Sequence, residues 1–522
     1  MINIKHKISA AILALSMTVP VVSGCNIVTF GKKEPPMTQT SESITETAAE
    51  TTTVTTTEET TSVTETEKAA TKATETEQTV DTGYVRLIDG VKPEMLKPGY
   101  WLKEGDDKLL MTADDIAKFN KNNRGVVTAS DKTKFPKLDE FEEKLDGSVL
   151  RSFLTDCANA APKDPAKYYL NGKPTTEEYW KDLIAKSNIE GIPEEINVKF
   201  GFTVKRMTLR LFPTEDRVFD DTSDRYYDAM IFSECLPYMP VAVLHESTDG
   251  EYLYVVFDSY AAWVRKDAVA ICKDISDWKT RQEPGQWLVV TGREIRLGND
   301  PYSPNTTNLV LPMGTRMELV PADKAPKSTN QRTTYGDYVV KVPTRGSDGN
   351  LVDEYVLIPV SDDVNVGFLP LTSENIVKQA FKRLGDRYGW AGDLQANDCT
   401  GITREIYRCF GILLPRVGQS NVNGVYKVSM SKMDSKQKLE VIGKLAPGSL
   451  VSMPGHMMIY LGTVDGKPYV ISACGTFVAP APGSTEAQHP NSVILNSLYV
   501  RTRSLKTWLD VSTTALTMTP AE

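Results

Sequence analysis

The chain has 522 residues, of which 40% are hydrophobic and 24% charged, and its formal net charge is −9. A chain of this length exceeds what one hydrophobic core can organise, so it predicts three or four globular units. The composition is ordinary and assigns no function, and the sequence contains no Lys/Arg block or RNA-binding motif that would indicate a nucleic-acid surface.

The N-terminus has the three-part design of a secretory signal. A basic start is followed by an apolar run over residues 8–22, and the sequence then reads Val-Ser-Gly-Cys, ending at Cys25. This run is short for a transmembrane helix. Its ending resembles the lipobox of bacterial lipoproteins, which implies a signal peptide over 1–25, lipidation of Cys25 and an extracytoplasmic, membrane-anchored protein. An ordinary signal with a chance cysteine is the alternative.

Residues 26–83 are predicted to form a disordered tether. From Met37 to Thr82 the sequence is almost only Thr, Glu, Ser, Ala and Val, which cannot bury enough apolar surface to offset the ordering entropy. Residues 38–82 hold ten acidic and two basic side chains, giving −8 of the net charge of −9. The acidic balance therefore belongs to the tether, and the folded part is close to neutral.

Residues 84–200 are predicted to be a mostly helical bracing region. In "TADDIAKFNKNN", Thr112 can cap the helix and Asp115 occupies the capping-box position. Further helical stretches are predicted near "KLDEFEEKLDGSVLRSFL" and "TTEEYWKDLIAKS". The region contains no group of residues that resembles a catalytic site.

Short alternating strands occupy residues 201–275 and again 284–371, which predicts two small β-barrels. Their strand pattern and the closing "AWVRKDAV" resemble bacterial SH3-like domains. Such folds host many roles, so these domains indicate either wall binding or the shaping of a neighbouring cleft. His245 lies at a strand end in the first domain, and we interpret it as an ordinary surface or half-buried histidine.

Two helices and then a hairpin are predicted from residue 372 to 510. In "SENIVKQAFKRLG", Ser373 is the expected N-cap and Gly385 the stop. A second helix over 400–410 carries one apolar stripe. The stripe consists of Ile402, Ile406, Cys409 and Phe410.

Cys409 is therefore interpreted as a core residue, and Arg404, Glu405 and Arg408 are predicted to face solvent. The seven cysteines show no paired CxxC spacing, so we expect no structural zinc site. Nothing in the sequence indicates a metal or a cofactor.

Cys399 lies outside the apolar stripe, at the first turn of the helix, where the macrodipole and unpaired amides stabilise a thiolate. A nucleophilic cysteine also needs a base, usually histidine. Of the four histidines, His6 is removed with the signal and His245 lies in another domain. His456 opens the strand "HMMIYLG", whereas His489 lies in a Pro/Gly/Ser-rich loop. A base must be held rigidly, so we favour His456.

Ser472 lies on the returning strand "YVISACG" and is the candidate that orients the imidazole. The register of the hairpin decides this. A two-residue turn at Asp465 and Gly466 would place Ser472 on the face opposite His456, and a three-residue turn would place it on the same face.

Several motifs occur together in "YGWAG…NDCTGITREIYRCFGILLPR…GSLVSMPGHMMIYLG…YVISACG". This stretch resembles the NlpC/P60 family of cysteine peptidases, whose signatures are Y-x-W-G-G, D-C-S-G, L-P-R and G-H-V-x-I-Y-L-G. The domain order, with the tail "SLKTWLD", resembles the subgroup that trims peptidoglycan peptides. The resemblance implies an α+β chain in which a papain-like domain over 372–510 follows two SH3-like domains and a helical region.

The resemblance implies that Cys399 is the nucleophile and His456 the base of an endopeptidase that cleaves γ-D-glutamyl-L-diamino acid amides in peptidoglycan stem peptides. It also implies a set of residues that line the substrate cleft. These are Tyr388, Asp398, Thr400, Trp390 and Arg416. Asp398 suits a free substrate amine, and the Cys399 N–H with the Tyr388 hydroxyl would bind the oxyanion. We expect no cofactor and a monomer.

Three positions depart from the family pattern. Thr400 replaces the common serine and keeps a hydroxyl, and Ala391 replaces a glycine of the Trp-Gly-Gly turn. Ser472 stands where the family usually has His, Asn or Gln; a serine can accept from the imidazole Nδ1–H but is short and uncharged. Two alternatives therefore stay open: a catalytically silent wall-binding lipoprotein, and an amidase or acyltransferase on the same fold.

Overall fold

The computed structural model describes residues 83–125, 134–258 and 260–521. The predicted signal peptide, the predicted lipidation of Cys25 and the predicted tether up to residue 82 lie outside these residues. Helices and antiparallel sheets are mixed along the described chain, which confirms the α+β fold class. None of the helices in these ranges has the length and apolarity needed to span a bilayer.

The described part of the N-terminal region, residues 83–125 and 134–200, contains three α-helices and four short strands. They are α1 (Ala113–Asn123), α2 (Gly147–Asn159), α3 (Glu177–Lys186), β1 (Lys144–Asp146), β2 (Tyr169–Leu170), β3 (Lys173–Pro174) and β4 (Glu195–Asn197). The predicted capping box is confirmed, since Thr112 and Asp115 accept from each other's backbone N–H. The second predicted helix begins late, at α2, because Asp146 caps it there by accepting from the Ser148 N–H at 2.8 Å.

The N-terminal region packs against two different cores. Trp101 and Phe119 are buried with Ile402 of the C-terminal domain. Phe153 of α2 is buried instead with Trp263 of the first β-domain. The first part of the region therefore braces the C-terminal domain and the second part braces the first β-domain.

The first β-domain is a seven-stranded antiparallel sheet in the order β12-β5-β9-β10-β11-β6-β8. Its strands are β5 (Lys199–Thr203), β6 (Met207–Arg210), β7 (Val218–Phe219), β8 (Ile231–Cys235), β9 (Pro240–Glu246), β10 (Tyr252–Val256), β11 (Ala261–Arg265) and β12 (Val269–Ile271). Of these, β7 pairs with β2 instead. Helix α4 (Ile275–Arg281) closes the domain, and Trp278 donates to the Gly201 carbonyl at 3.1 Å.

The second β-domain has a five-stranded antiparallel sheet in the order β20-β19-β16-β13-β21, with two small hairpins beside it. Its strands are β13 (Trp287–Val290), β14 (Glu294–Arg296), β15 (Val310–Pro312), β16 (Arg316–Leu319), β17 (Ser328–Thr329), β18 (Arg332–Thr333), β19 (Asp337–Arg345), β20 (Leu351–Pro359) and β21 (Val364–Val366). Its core includes Leu288, Val340 and Ile358.

The C-terminal domain has a six-stranded antiparallel sheet in the order β22-β29-β23-β24-β25-β28. Its strands are β22 (Val425–Ser429), β23 (Leu450–Met453), β24 (His456–Val464), β25 (Lys467–Cys474), β26 (Phe477–Val478), β27 (Ala487–Gln488), β28 (Ser492–Ser497) and β29 (Thr514–Pro520). Its helices are α5 (Ser373–Lys382), α6 (Cys399–Arg408), α7 (Ser435–Ile442) and α8 (Trp508–Val511).

Two details of these helices differ from the predictions. The N-cap of α5 is Thr372, whose hydroxyl accepts from the Asn375 N–H at 3.1 Å, and Ser373 is the first helical residue. Helix α6 begins at Cys399, one residue earlier than predicted, and ends at Arg408, two residues earlier than predicted. The apolar stripe of α6 is confirmed as core, and Cys409 is completely buried.

Candidate active site

Cys399 is the first residue of α6. The preceding Asp398 caps the helix, because its carboxylate accepts from the Gly401 N–H at 2.9 Å. All six cysteines in the described part of the chain are free, and Cys399 is half-buried while the other five are buried. Of these thiols, Cys399 is therefore the one that a reagent can reach most easily.

His456 and Ser472 face each other across the β24–β25 hairpin, with Nε2 of the imidazole 3.0 Å from the serine Oγ. The connecting turn has two residues, Asp465 and Gly466, and it alone would place Ser472 on the opposite face. The register shifts by one residue between Tyr460 and Gly462, however, and this bulge returns Ser472 to the face of His456. The serine contacts Nε2, not the Nδ1 that we expected.

The tail of the chain supports the His456 ring. Trp508, the first residue of α8, packs edge-on against the imidazole with ring centroids 4.9 Å apart. Thr507 caps this short helix and accepts from the Asp510 N–H at 3.0 Å. The ring is thus held by Ser472 on one side and by a fully buried indole on the other. His489, the other histidine considered, contacts the Thr476 hydroxyl at 3.3 Å in its loop.

Burial keeps both the thiol and the imidazole neutral. It raises the pKa of Cys399 to about 12, with the Asp398 charge acting in the same direction, and the backbone N–H of Met457 only partly opposes this. Burial also lowers the pKa of His456 to about 4. The backbone N–H of Thr400 in the first turn favours the thiolate, as predicted for a helix terminus, but desolvation outweighs it and the net pKa of Cys399 is raised. Among the residues that the structure describes, no hydrogen bond joins the Cys399 sulfur to the His456 ring.

Asp398 is bound from several sides. Both terminal nitrogens of Arg416 donate to its carboxylate, one of them at 2.5 Å, and the Ala391 N–H donates to it at 3.0 Å. Burial opposes ionisation of Asp398, but Arg416 and the backbone N–H groups outweigh it and hold its pKa below the ordinary value. Arg416 and Asp398 also contact the Thr400 hydroxyl. Three of the predicted cleft residues thus form one hydrogen-bonded group around the first turn of α6.

The other two predicted cleft residues meet a tyrosine that sequence reasoning missed. Tyr388 is buried and Trp390 half-buried, and the ring of Tyr227 packs against both, at centroid distances of 6.0 Å and 5.7 Å. Tyr227 comes from the first β-domain. A side chain at Gly475 would meet its hydroxyl at 2.4 Å, so that domain reaches the end of β25.

Two charged residues of α6 are buried, which corrects the prediction that they face solvent. Arg404 and Glu405 are 3% and 1% exposed, and Arg408 is half-buried. The first β-domain covers this face of the helix, and Arg408 Nη2 lies 3.7 Å from the Met239 sulfur. A helical wheel predicts which residues share a face, but it does not reveal that a second domain covers the polar one.

A cavity of about 490 Å³ lies between the N-terminal region, both β-domains and the C-terminal domain. Its lining includes Trp287, Arg316 and Arg408, and it includes neither Cys399 nor His456. Arg408 ends α6, about 14 Å along the helix axis from Cys399 at 1.5 Å per residue. This cavity is therefore separate from the candidate active site.

The NlpC/P60 family model matches residues 385–474, the part of the chain that contains Cys399, His456 and Ser472. The C-terminal domain is an NlpC/P60 domain. A model of the SH3 domain of SH3b1 type matches residues 217–265, which confirms an SH3-like domain within the first β-domain. The assignment of the second β-domain as SH3-like stays a prediction.

The solved structures that are similar to the chain include the two described next. One is an NlpC/P60 endopeptidase from Photobacterium damselae subsp. piscicida, with 17% identity and a TM-score of 0.64 over 84% of this chain and 99% of that chain. The other is an NlpC/P60 family protein from Bacillus cereus ATCC 10987, with 16% identity and a TM-score of 0.42 over 62% of this chain and 100% of that chain. The first likeness shows a shared fold. No curated protein sequence matches the chain.

Proposed function

We propose that the protein is an extracytoplasmic cell-wall hydrolase, a cysteine endopeptidase that cleaves the amide between γ-D-glutamate and an L-diamino acid in peptidoglycan stem peptides. One arrangement carries the proposal. An accessible cysteine opens a helix of the NlpC/P60 domain, and a hairpin histidine in the same domain has its Nε2 held 3.0 Å from Ser472. A nucleophile, a base and an orienting group are the parts that thiol acyl transfer requires.

The reaction would begin from a neutral pair. Because Nε2 of His456 faces Ser472, Nδ1 is the nitrogen that takes the Cys399 proton as the sulfur attacks the carbonyl carbon. The Cys399 N–H and the Tyr388 hydroxyl would bind the oxyanion. The imidazolium then protonates the departing amine as the C–N bond breaks, and water hydrolyses the thioester.

The predicted cleft residues would bind the peptide on the glutamyl side. A free substrate amine at Asp398 would share its carboxylate with Arg416, so the carboxylate is held in place before the substrate arrives. Thr400 keeps the hydroxyl that the family's serine provides, and Tyr388 and Trp390 form an aromatic wall with Tyr227.

The proposed location follows from the predicted N-terminus. A diacylated Cys25 would hold the protein on a membrane, and the tether would let the folded part reach peptidoglycan. Peptidoglycan or muropeptides are the proposed substrate, and a monomer suffices because the proposed catalytic groups all come from one chain.

Incubating the full chain with purified muropeptides tests the proposal. Mass spectrometry should show products cut between γ-D-glutamate and the diamino acid, and Cys399→Ala should form none of them. A wild-type protein without product, or a Cys399→Ala variant with unchanged product, would contradict the proposal. Products cut at another bond, or transferred to another amine, would instead identify an amidase or an acyltransferase.

A second candidate function is a catalytically silent wall-binding protein. Two observations favour it. A short, uncharged serine supports the imidazole. In the described part of the chain, no hydrogen bond links the side chains of Cys399 and His456. It predicts that the wild type binds isolated cell walls without releasing any peptide. Apo cysteine–histidine pairs often tighten only when substrate binds, so the muropeptide assay decides between the two.

A further inference from the structure

The segment 389–397 leads directly into Asp398 and Cys399, and its backbone is unusual. Ala391, Leu394 and Gln395 have φ values of +52°, +59° and +53°. A left-handed backbone is unfavourable for residues with a side chain and persists where surrounding groups hold it. The conformation of this segment therefore depends on contacts from outside it.

Arg206 of the first β-domain holds the end of the segment. Its guanidinium donates to the Gln395 carbonyl at 2.9 Å and to the Ala396 carbonyl at 2.6 Å. Its Nε donates to the Glu234 carboxylate at 2.7 Å, and the side chains of this ion pair are only 10% and 7% exposed. One buried guanidinium thus ties two backbone carbonyls of the NlpC/P60 domain to a carboxylate of the β-domain.

Asn397, two residues before Cys399, joins the same network. Its Nδ2 donates to Glu234 at 2.7 Å and to Glu405 at 3.0 Å, and its Oδ1 accepts from Arg383 at 2.7 Å. Arg383 also pairs with Glu405 of α6. Because both amide hydrogens and the amide oxygen are used, the position of this buried side chain is fixed by both domains at once.

The middle of the segment has its own contacts to the same domain. Arg217 forms an ion pair with Asp393. Gly392 lies so close to Glu234 that a Cβ at this position would be 2.3 Å from the glutamate Cβ. The β-domain therefore contacts the segment along its length, and not through one side chain alone.

We infer that Arg206 and Glu234 are positioning residues for Cys399, which makes the first β-domain a required part of the active site. Asp398 both follows the held segment and caps α6, so a displacement of the segment moves the cap and the thiol together. Neither residue touches the reacting atoms. The inference rests on the proposed peptidase function, but the reactivity of the Cys399 thiol reports it without any substrate.

The test uses Arg206→Met and Glu234→Gln in the full chain, with Lys205→Met as the matched control. Lys205 is the sequence neighbour of Arg206 and forms an exposed ion pair with Asp267 at 3.0 Å. Each protein is assayed for kcat and KM on muropeptides and for alkylation of Cys399 by iodoacetamide, followed by peptide mapping. Circular dichroism and thermal unfolding confirm the folded state.

We expect both network variants to lose at least tenfold in kcat, with KM within about twofold of wild type, and to change the Cys399 alkylation rate at least threefold. Lys205→Met should match wild type in every readout. Folded network variants with wild-type kcat and alkylation rate would overturn the inference. A wild type without turnover would defeat the proposed function instead, and the alkylation rates would still decide the positioning role.

Arg206→Lys covers the case in which Arg206→Met does not fold. Lysine keeps the charge beside Glu234 but cannot donate to two carbonyls and a carboxylate in the geometry of a guanidinium. We expect a folded protein with intermediate kcat and alkylation rate. A folded Arg206→Lys variant with wild-type values for both would overturn the inference.

Discussion

Both β-domains contact helix α6: the first contacts its whole polar face, from the segment before Cys399 to Arg408, and the second contacts only its C-terminal end. The first holds the segment before Cys399 through Arg206 and Glu234. The second lies at the other end, where the Cys409 sulfur is 3.5 Å from the Val290 carbonyl and a Cβ at Gly314 would be 2.7 Å from the Arg408 Cβ. The two β-domains, for which the strand patterns predict the same kind of fold, thus have different relations to the candidate site.

The contacts also differ in kind. At the N-terminal end of α6 the interface consists of buried ion pairs and hydrogen bonds, which specify one arrangement because an unpaired buried charge is costly. At the C-terminal end it consists mainly of close backbone and apolar packing, which tolerates small shifts more readily. We therefore expect changes near the first domain to alter activity and changes near the second to alter stability.

The largest expected contrast is between the two cysteines at the ends of α6. Cys399→Ala removes the nucleophile and should reduce turnover of muropeptides at least about 10³-fold while leaving stability nearly unchanged. Cys409→Ala removes a buried sulfur and should lower the free energy of unfolding by roughly 1 kcal/mol. Chemical denaturation and steady-state kinetics measure both, and a folded but inactive Cys409→Ala variant would contradict the contrast.

The next largest expected effect is a pH dependence of the free energy of unfolding, which comes from His456 in the candidate active site. Burial lowers the pKa of His456 to about 4, compared with about 6.5 in an unfolded chain. Between these values the unfolded state binds a proton that the folded state excludes. The contribution of His456 to the free energy of unfolding is therefore fully present above pH 6.5, and it falls by roughly 3 kcal/mol as the pH drops to 4.

Denaturation of wild type and His456→Gln between pH 4 and 7.5 isolates this contribution. Burial also lowers the pKa of His245 in the first β-domain, but that histidine is common to both proteins and cancels. The second β-domain, residues 284–371, contains no histidine. An equal pH dependence in the two proteins would show that His456 is not buried in its neutral form.

The sequence predicts the candidate nucleophile and base because their signals are local. Asp398 lies one residue before a helix whose apolar stripe excludes Cys399 and includes Cys409, and the structure confirms that register. His456 opens a strand after a Pro-Gly turn, which a sequence pattern also reveals. Both inferences need only the periodicity of one helix and one strand.

The features that sequence reasoning missed depend on contacts between distant segments. The bulge before Gly462 reverses the face of Ser472, and it lies under Trp101, whose ring would be 3.1 Å from a Cβ at this glycine. Glu405 is buried, and Arg206, about 200 residues earlier in the chain, lies 3.9 Å from its carboxylate. Neither hairpin length nor a helical wheel contains this information.

A smaller effect tests whether the first β-domain shapes the cleft as well as the helix. Tyr227→Ala removes the ring that packs against Tyr388 and Trp390 and should raise KM for muropeptides roughly two- to tenfold, since such aromatic contacts contribute roughly 0.5–1.5 kcal/mol beyond burial. Tyr302→Ala is the control, because Tyr302 belongs to the second β-domain and is 56% exposed. Equal KM values for the two variants would remove Tyr227 from the cleft.

The smallest expected effect comes from the charged contact of the second β-domain. Arg293 lies 2.8 Å from the Asp386 carboxylate and donates to the Lys382 carbonyl at 3.2 Å, but its side chain is 55% exposed. Solvent screening limits such a pair, so Arg293→Ala should lower the free energy of unfolding by less than about 1 kcal/mol and leave kcat and KM unchanged.

This variant is the counterpart of Arg206→Met, since each removes one arginine that joins a β-domain to backbone carbonyls of the NlpC/P60 domain. They differ in burial and in distance along the chain from Cys399. If kinetics show that both lower kcat to the same extent, the active site depends on the docking of either domain, and the buried network before Cys399 has no special role. If only Arg206→Met lowers kcat, the position of the arginine relative to α6 determines its effect.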